Sequence, residues 1–551
     1  MHPVLGGKAA KGRSPAGLER CSHIAEVIGS NPIVPTPNPS FFVITLSSPP
    51  ELGVILFRAP PRFALQDMPC ARNEHTHHPS GLRRATTLDM TAGPPARSIL
   101  AFALPLIAGY ILQQLYLLIN AVIAGRWLGV DALAAIGAST SVMFLVMGFC
   151  NGCCAGLAIP IAQAFGASRT SSPARQASAL RRMRQCVAAA TRIAIHSAAL
   201  LTVATCLLVT PILHALNTPA DILRPARIFL LLQLLTIPLT MAYNLLAAFM
   251  RAVGNSRKPF HYIIVASLLN IALDLLLIVQ LGMGVEGAGI ATLLSQATAA
   301  ALCLRFILRR MPLLIPRPTE RKPPRARTIE LLNNGIPMGL QFSITGIGII
   351  MLQSANNALG TTYIAAFTAA MRIKYLFTCV FENLGAAMAT YCGQNIGARN
   401  LPRIGQGMRA AIILLALYTL AVFAIVQGGA DAMMSLFASP DEQDMVPHAA
   451  RLMRIATYFY PALALLALLR YSIQGLGFSN LALLSGATEM VARMAVSLLL
   501  VPAFAWTGVC FGDPVAWIAA DCFLVPCYLM LLRHLKHSLR PKGPELKTGC
   551  A

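Results

Sequence analysis

The sequence predicts an all-α integral membrane protein: twelve transmembrane helices arranged as two six-helix lobes. Three observations carry that prediction. Only 12% of the 551 residues are charged and 56% are hydrophobic, with a mean hydropathy of +0.63, whereas a soluble globular chain is about one-quarter charged. Apolar runs of roughly the twenty residues that cross a bilayer recur from about Ser98 to Leu535. Short segments also recur in the same order in the two halves. The two-residue alternation of a membrane β-barrel is absent.

The chain opens on a different kind of text. Met1 to Asp89 is rich in Pro, Arg and His, as in "NPIVPTPNPS" and "NEHTHHPS", and shows no helical period. It lacks the basic, apolar, small-residue order of a signal peptide. "GLERCSHIAEVIGSNPIVP" reads like translation through a transfer-RNA gene, and Met90 in "MTAGPPARSILAFALPL" is the expected natural start. Residues 1–89 are therefore expected to be a non-native or disordered extension. His75, His77 and His78 form a histidine-rich tract within that text rather than a metal site.

Twelve hydrophobic segments follow, near 98–124, 132–163, 185–213, 222–250, 259–281, 286–310, 329–359, 363–394, 405–428, 447–474, 479–503 and 512–535. Several exceed the minimum span and are expected to tilt or protrude. The formal charge of +23 suggests nucleic acid in a soluble protein, but here it sits in short loops. Arg169, Arg175, Arg181, Arg182 and Arg184 follow span two. Arg251, Arg257 and Lys258 follow span four. Arg309, Arg310, Arg317, Arg321, Lys322, Arg325 and Arg327 follow span six, and Arg399, Arg403 and Arg409 follow span eight. The tail, 536–551, carries Lys536, Arg540, Lys542 and Lys547. The odd-numbered connections are poorer in Lys and Arg, and one holds Asp441, Glu442 and Asp444; Arg224 and Arg227 are exceptions. The positive-inside rule then places both termini in the cytoplasm of a cell whose inner (plasma) membrane the chain crosses.

Three pairs of segments define the repeat: "LAAIGAS" (Leu133–Ser139) with "IAAFTAA" (Ile364–Ala370), "AQAFGA" (Ala162–Ala167) with "GQNIGA" (Gly393–Ala398), and "RAVGNS" (Arg251–Ser256) with "QGLGFS" (Gln474–Ser479). Their shared order divides the chain into a first lobe at 90–310, a basic linker at 311–328 and a second lobe at 329–535. Both halves start on the same side, so the repeat is parallel, an arrangement transporters use to alternate access. Tight packing of small residues is the simpler source of any one match.

Ionisable residues within spans are the candidates for chemistry. Asp274 lies in the middle of span five. A charge there costs on the order of 3 kcal/mol, and burial favours the neutral acid, which suits a proton carrier; a hydrogen-bonded structural acid is the alternative. Asn270 precedes it by one helical turn, on the same face. Glu489 and Arg493 in span eleven have the i, i+4 spacing of a structural ion pair. Arg372, Lys374 and Glu382 in span eight either face a second-lobe cavity or snorkel, and Arg470 and Asp521 raise the same question. Gln113, Gln114, Tyr116, Asn120, Tyr243, Asn244, Gln341, Gln353, Asn356 and Asn357 are polar residues within spans. Helix-to-helix hydrogen bonds explain most such residues; others are candidates for a substrate path. Cys150 and Cys153 are spaced C-x-x-C but lie among Gly152, Cys154 and Gly156 in an apolar run, which reads as packing. No phosphate-binding loop and no H-E-x-x-H motif occurs, so neither bound ATP nor enzymatic chemistry is indicated, and no cofactor is expected.

"LPLIAGYILQQLYLLINAVIAGRWLGVDALAAIGA", "NIALDLLLIVQLGMGVEGAGIAT", "GIPMGLQ", "ATYCGQNIGARN" and "IQGLGFSN" together resemble the multidrug and toxic compound extrusion (MATE) family, nearest its DNA-damage-inducible protein F-like branch. The resemblance runs from about Ser98 to Leu535. It implies two six-helix lobes around a V-shaped cavity in a single working chain, exporting cationic or amphipathic organic compounds in exchange for protons or sodium ions. It implies ion-coupling acids in spans one and five. Asp274 matches the span-five acid and Asn270 a polar neighbour. The span-one acid falls at Asn120, which cannot titrate. Either Asp274 alone couples, or coupling has moved to a residue such as Glu382, or it is lost. Related transporters that flip lipid-linked sugars provide a second reading, which Arg and Lys in the cavity would favour.

Overall fold

The computed structural model describes residues 41–46, 53–58, 87–215, 220–438 and 443–538. His75, His77, His78, Asp441, Glu442, Arg540, Lys542 and Lys547 lie outside them. In the compact unit Met1–Asn73, β1 (Phe41–Leu46) pairs antiparallel with β2 (Gly53–Arg58), Phe41 opposite Arg58 and Leu46 opposite Gly53. The rest of the described regular structure is helical and belongs to the unit Glu74–Ala551.

Hydrocarbon offers no hydrogen bonds, so a segment crossing it must satisfy its own backbone groups. Among the described residues twelve helical spans do this, one of them a bent pair. In the first lobe they are Pro95–Trp127, the helix Gly129–Ala167, Pro173–Ala215, the pair Ala220–Leu235 and Ile237–Ala252, then Arg257–Gln280 and Gly284–Arg310. In the second they are Arg325–Asn357, Thr361–Gly397, Leu401–Ser435, the pair Met445–Tyr458 and Tyr460–Gly475, then Ser479–Phe504 and Trp506–Ser538. Span four breaks at Thr236, with Pro238 opening the helix that follows. Span ten breaks in the same place in its lobe, at Phe459 before Pro461, and bends by 55°. Proline lacks the N–H an interior helical position needs, but it suits the first turn of a new helix.

Spans five and eleven share a second irregularity. Each slips into a π-helical turn, at Leu275–Gln280 and Val496–Leu500. Continuing the register of "RAVGNS" with "QGLGFS" places Asn270 opposite Arg493 and Asp274 opposite Ser497. Each lobe therefore carries its polar side chains just ahead of the same backbone irregularity. Such turns often mark functional sites.

The lobes meet along spans two and seven. A Cβ on Gly152 would stand 2.5 Å from the Met338 carbonyl oxygen, and one on Gly156 2.4 Å from that of Asn334. Small residues four apart let backbones approach this closely. Nearer the basic loops the seam tightens further: a Cβ on Gly166 would lie 1.8 Å from the Gln394 carbonyl oxygen, and one on Gly397 1.9 Å from that of Gln163. Cys150, Cys153 and Cys154 are buried free thiols in the adjoining core. Farther along, between Ile111 and Val122, span one is exposed on most of its sides.

Leu88 and Asp89, in the expected extension 1–89, make contacts with the first lobe. A Cβ on Gly254 would lie 2.0 Å from the Leu88 carbonyl oxygen, and Asp89 pairs with Arg169 at 3.3 Å. The fold includes both residues.

The linker is pinned to span three. Arg184 donates from Nε (2.7 Å) and Nη2 (2.9 Å) to the two oxygens of Glu320, and the Arg317 N–H adds a bond of 3.0 Å. Arg182 and Arg327 both reach Glu330, at 2.7 and 2.9 Å. The hydrogen bond from Arg184 holds the Glu320 carboxyl below its ordinary range. A folded-state value below the unfolded one gives stability that is complete above about pH 4.3 and lost as pH falls through the folded value. Glu320→Gln is expected to destabilise the detergent-solubilised protein by of order 1 kcal/mol at pH 7. The gap from wild type should close on acidification. Equal thermal midpoints at pH 7 would refute this role for the pair.

Candidate functional site

Burial sorts the candidate residues into two groups. In the first lobe, Asp274 and Asn270 are 2% and 3% exposed. Asn120 of span one donates from Nδ2 to Asn270 Oδ1 at 2.6 Å, tying span one to span five. Asp274 makes no ion pair among the described residues, and its Oδ1 has no hydrogen-bond partner there. Tyr116, near Gln113, lies within electrostatic reach of it.

The Asn270 amide is satisfied in one orientation only. With its oxygen toward Asn120 and Asp274, as a protonated carboxyl would require, its nitrogen faces the Thr292 N–H, donor to donor. Turned over, its Nδ2 lies 3.3 Å from Asp274 Oδ2 and its oxygen 3.2 Å from the Thr292 N. That arrangement suits a carboxylate. It also places Asn270 Nδ2 beside Asn120, whose own amide must then turn to accept. Asn120 Oδ1, unpartnered in the first arrangement, gains a donor in the second.

The second lobe answers the same position with a chain of charges. Glu489 pairs with Arg493 one turn on, at 3.3 Å, as the spacing predicts. The pair belongs to a longer series. Arg470 of span ten also binds Glu489, and its Nε reaches Ser485 at 3.2 Å. Arg493 Nε binds Asp513 at the start of span twelve, at 2.9 Å, and Asp513 also holds Lys374 of span eight. Glu382 accepts from Tyr471 at 2.8 Å, and Glu382 and Asp521 both lie within electrostatic reach of Arg470. Span one packs against span five of the first lobe and span eight of the second. Asp513, the hub of the series, is absent from the residues singled out in the sequence.

The remaining candidates spread out. Gln341 is buried and receives a hydrogen bond from Gln474 at 2.8 Å. Asn356 is buried and donates to the Tyr363 carbonyl at 3.3 Å. Tyr243 is buried, with its hydroxyl 3.5 Å from the Pro259 carbonyl oxygen. All three side chains are held within the helix packing. Asn244 is half-buried beside Tyr243, whereas Gln113, Gln353 and Arg372 are exposed. Arg372 thus projects away from the network that holds Lys374. An apolar cavity of about 450 Å³ lies elsewhere, between spans nine and ten, around Leu415, Phe423, Tyr458 and Pro461. Among the described residues no three His, Cys, Asp or Glu side chains gather as a metal site.

A family model described as MatE matches residues 105–276 and 337–499, one stretch in each lobe. The chain belongs to the MatE family. Its relatives include a probable multidrug resistance protein of Bacillus subtilis, YoeA, 26% identical over 371 residues that cover 66% of this chain and 78% of that one. DNA damage-inducible protein F of Escherichia coli is 27% identical over 321 residues, covering 56% and 65%. Among solved structures, a multidrug resistance MATE family transporter in an outward-facing conformation superposes with a TM-score of 0.75 at 21% identity, covering 83% of this chain and all of that one. A MATE structure in a bent conformation gives 0.76 at 20% identity, over 84% of this chain. The twelve-helix, two-lobe architecture of MatE transporters is thus the architecture here, and the paired family match supports the internal repeat.

Removing one partner from a buried network leaves uncompensated charge. Glu489→Gln strands part of both Arg470 and Arg493, and is expected to cost about 3–5 kcal/mol. The exposed Arg454–Asp431 pair is the internal control, and Asp431→Asn should cost less than about 1 kcal/mol. Unfolding in detergent measures both; comparable losses would show that the buried series is not structural.

Proposed function

We propose that the chain is a secondary active efflux transporter that exchanges protons for cationic or amphipathic organic compounds by alternating access. Asp274 is the observation that carries this reading. It is a buried carboxyl with no ion pair among the described residues, in a span tied by amides to span one. The acids of the second-lobe series mostly face cations, whereas Asp274 is free to change charge. Protonation turns it from acceptor to donor, which changes what the Asn270 amide, and through it Asn120, must answer. An amide serves at position 120 because it both donates and accepts. The state of span five is thereby read by span one, and two protonation states can bias two packings of the lobes.

The names of relatives, multidrug resistance proteins of Bacillus subtilis and a multidrug export protein of Staphylococcus aureus, support organic compounds as cargo. The basic loops lie at one end of the molecule, where Arg169, Arg182, Arg184 and Arg403 make their contacts. We assign that end to the cytoplasm by the positive-inside rule, in the inner membrane. The closed seam is then cytoplasmic. A lipid-linked anionic substrate is less favoured, because Lys374, Arg470 and Arg493 already hold carboxylates.

Uptake of a fluorescent organic cation into inverted vesicles tests the proposal, with an imposed proton or sodium gradient as the sole energy source. A proton gradient should drive uptake, and Asp274→Asn should reduce it to background while the protein remains folded. Asn270→Leu, which breaks the link to Asn120, should impair uptake with the carboxyl intact. Full activity of Asp274→Asn would move coupling away from this site. Response to sodium alone would replace the proton in the mechanism.

A further inference from the structure

The segment before span one lies across the seam between the lobes. Met90 has no exposed surface, and its main chain is held on both sides. Its N–H donates to Gln394 Oε1 at 3.0 Å, and its carbonyl accepts from Asn395 Nδ2 at 3.2 Å and Arg403 Nε at 3.0 Å. Arg403 Nη2 also reaches the carbonyls of Ala92 and Gly93, each at 2.7 Å. Gln394, Asn395 and Arg403 all belong to the second lobe. On the first-lobe side Asp89 pairs with Arg169, and the Leu88 carbonyl fills the space left by Gly254, whose φ of +88° suits a glycine. Gln394 completes the crossing by donating from Nε2 to the Ala252 carbonyl at 3.0 Å.

We propose that Leu88–Gly93 is a latch that keeps the basic end of the transporter shut. The strap is continuous with span one and moves with the first lobe. Opening this end requires its main chain to leave Gln394, Asn395 and Arg403 together. The contacts go to backbone atoms, so the second lobe recognises the path of the strap more than its side chains. Arg403 is the principal grip, since its planar guanidinium reaches three carbonyls and no carboxylate among the described residues. The latch needs no particular cargo; only the name of the end it closes rests on the orientation proposed above.

Hydrogen–deuterium exchange of the full chain in lipid nanodiscs tests this without substrate or gradient. Arg403→Ala is expected to raise exchange about twofold or more, as a shift in the closed population, in peptides covering 88–93, 163–169 and 391–400. Peptides from 185–198 and 296–307 should not change. Arg403→Lys, which keeps the charge but loses the fork, should fall between the two and guards against simple misfolding. Asp89→Asn breaks a contact within the first lobe and should leave the seam as it was. A rise confined to 88–93 would overturn the proposal, because the strap would then be free while the lobes stay closed. So would unchanged exchange at the seam in both Arg403 variants.

Discussion

A polar group placed in hydrocarbon must find a partner inside the protein or give up its charge. Much of the arrangement described above follows from that one constraint. Arg470, Glu489, Arg493, Asp513 and Lys374 meet it by forming a continuous series of opposite charges across four spans. Gln341 and Gln474 meet it as an amide pair. Asp274 meets it with an amide neighbour and no ion pair among the described residues. The two lobes thus differ in how their carboxyls are answered.

The two lobes make this contrast at equivalent places. Asn270 and Arg493 occupy matching positions one turn ahead of matching π-helical turns. In one lobe the position holds a neutral amide; in the other it holds a guanidinium between Glu489 and Asp513. The repeated architecture carries different side-chain chemistry in its two copies. Span one, with Asn120 bonded to Asn270, packs against helices of both lobes.

Composition made the spans legible, because roughly twenty apolar residues in a row have few other uses. It also made Asp274 legible, as an acid where an acid is expensive. The Glu489–Arg493 pair followed from helical spacing. Asp513 escaped notice because it stands at the edge of a span, where a charge is cheap, and its partners come from spans eight and eleven. The burial of Tyr243, Gln341 and Asn356 was not legible, because polarity alone does not say which way a side chain points. The π-helical turns left no trace either, since the stretch "LLLIVQ" is equally at home in an α-helix. The "GQNIGA" motif was visible as a repeat, yet its grip on Met90 depends on a segment some three hundred residues earlier.

The π-helical turns also have a consequence for how the spans are phased. A wider turn holds one residue more than an α-turn would, and one residue is about 100° of rotation at 3.6 residues per turn. The stretch before the turn and the stretch after it can therefore be aimed independently. In span five, Asn270 and Asp274 point into the lobe while the leucines that follow keep their own side toward the lipid. A single extra residue thus works as a phase shifter, letting a site be aimed inward without repositioning the rest of the helix that carries it.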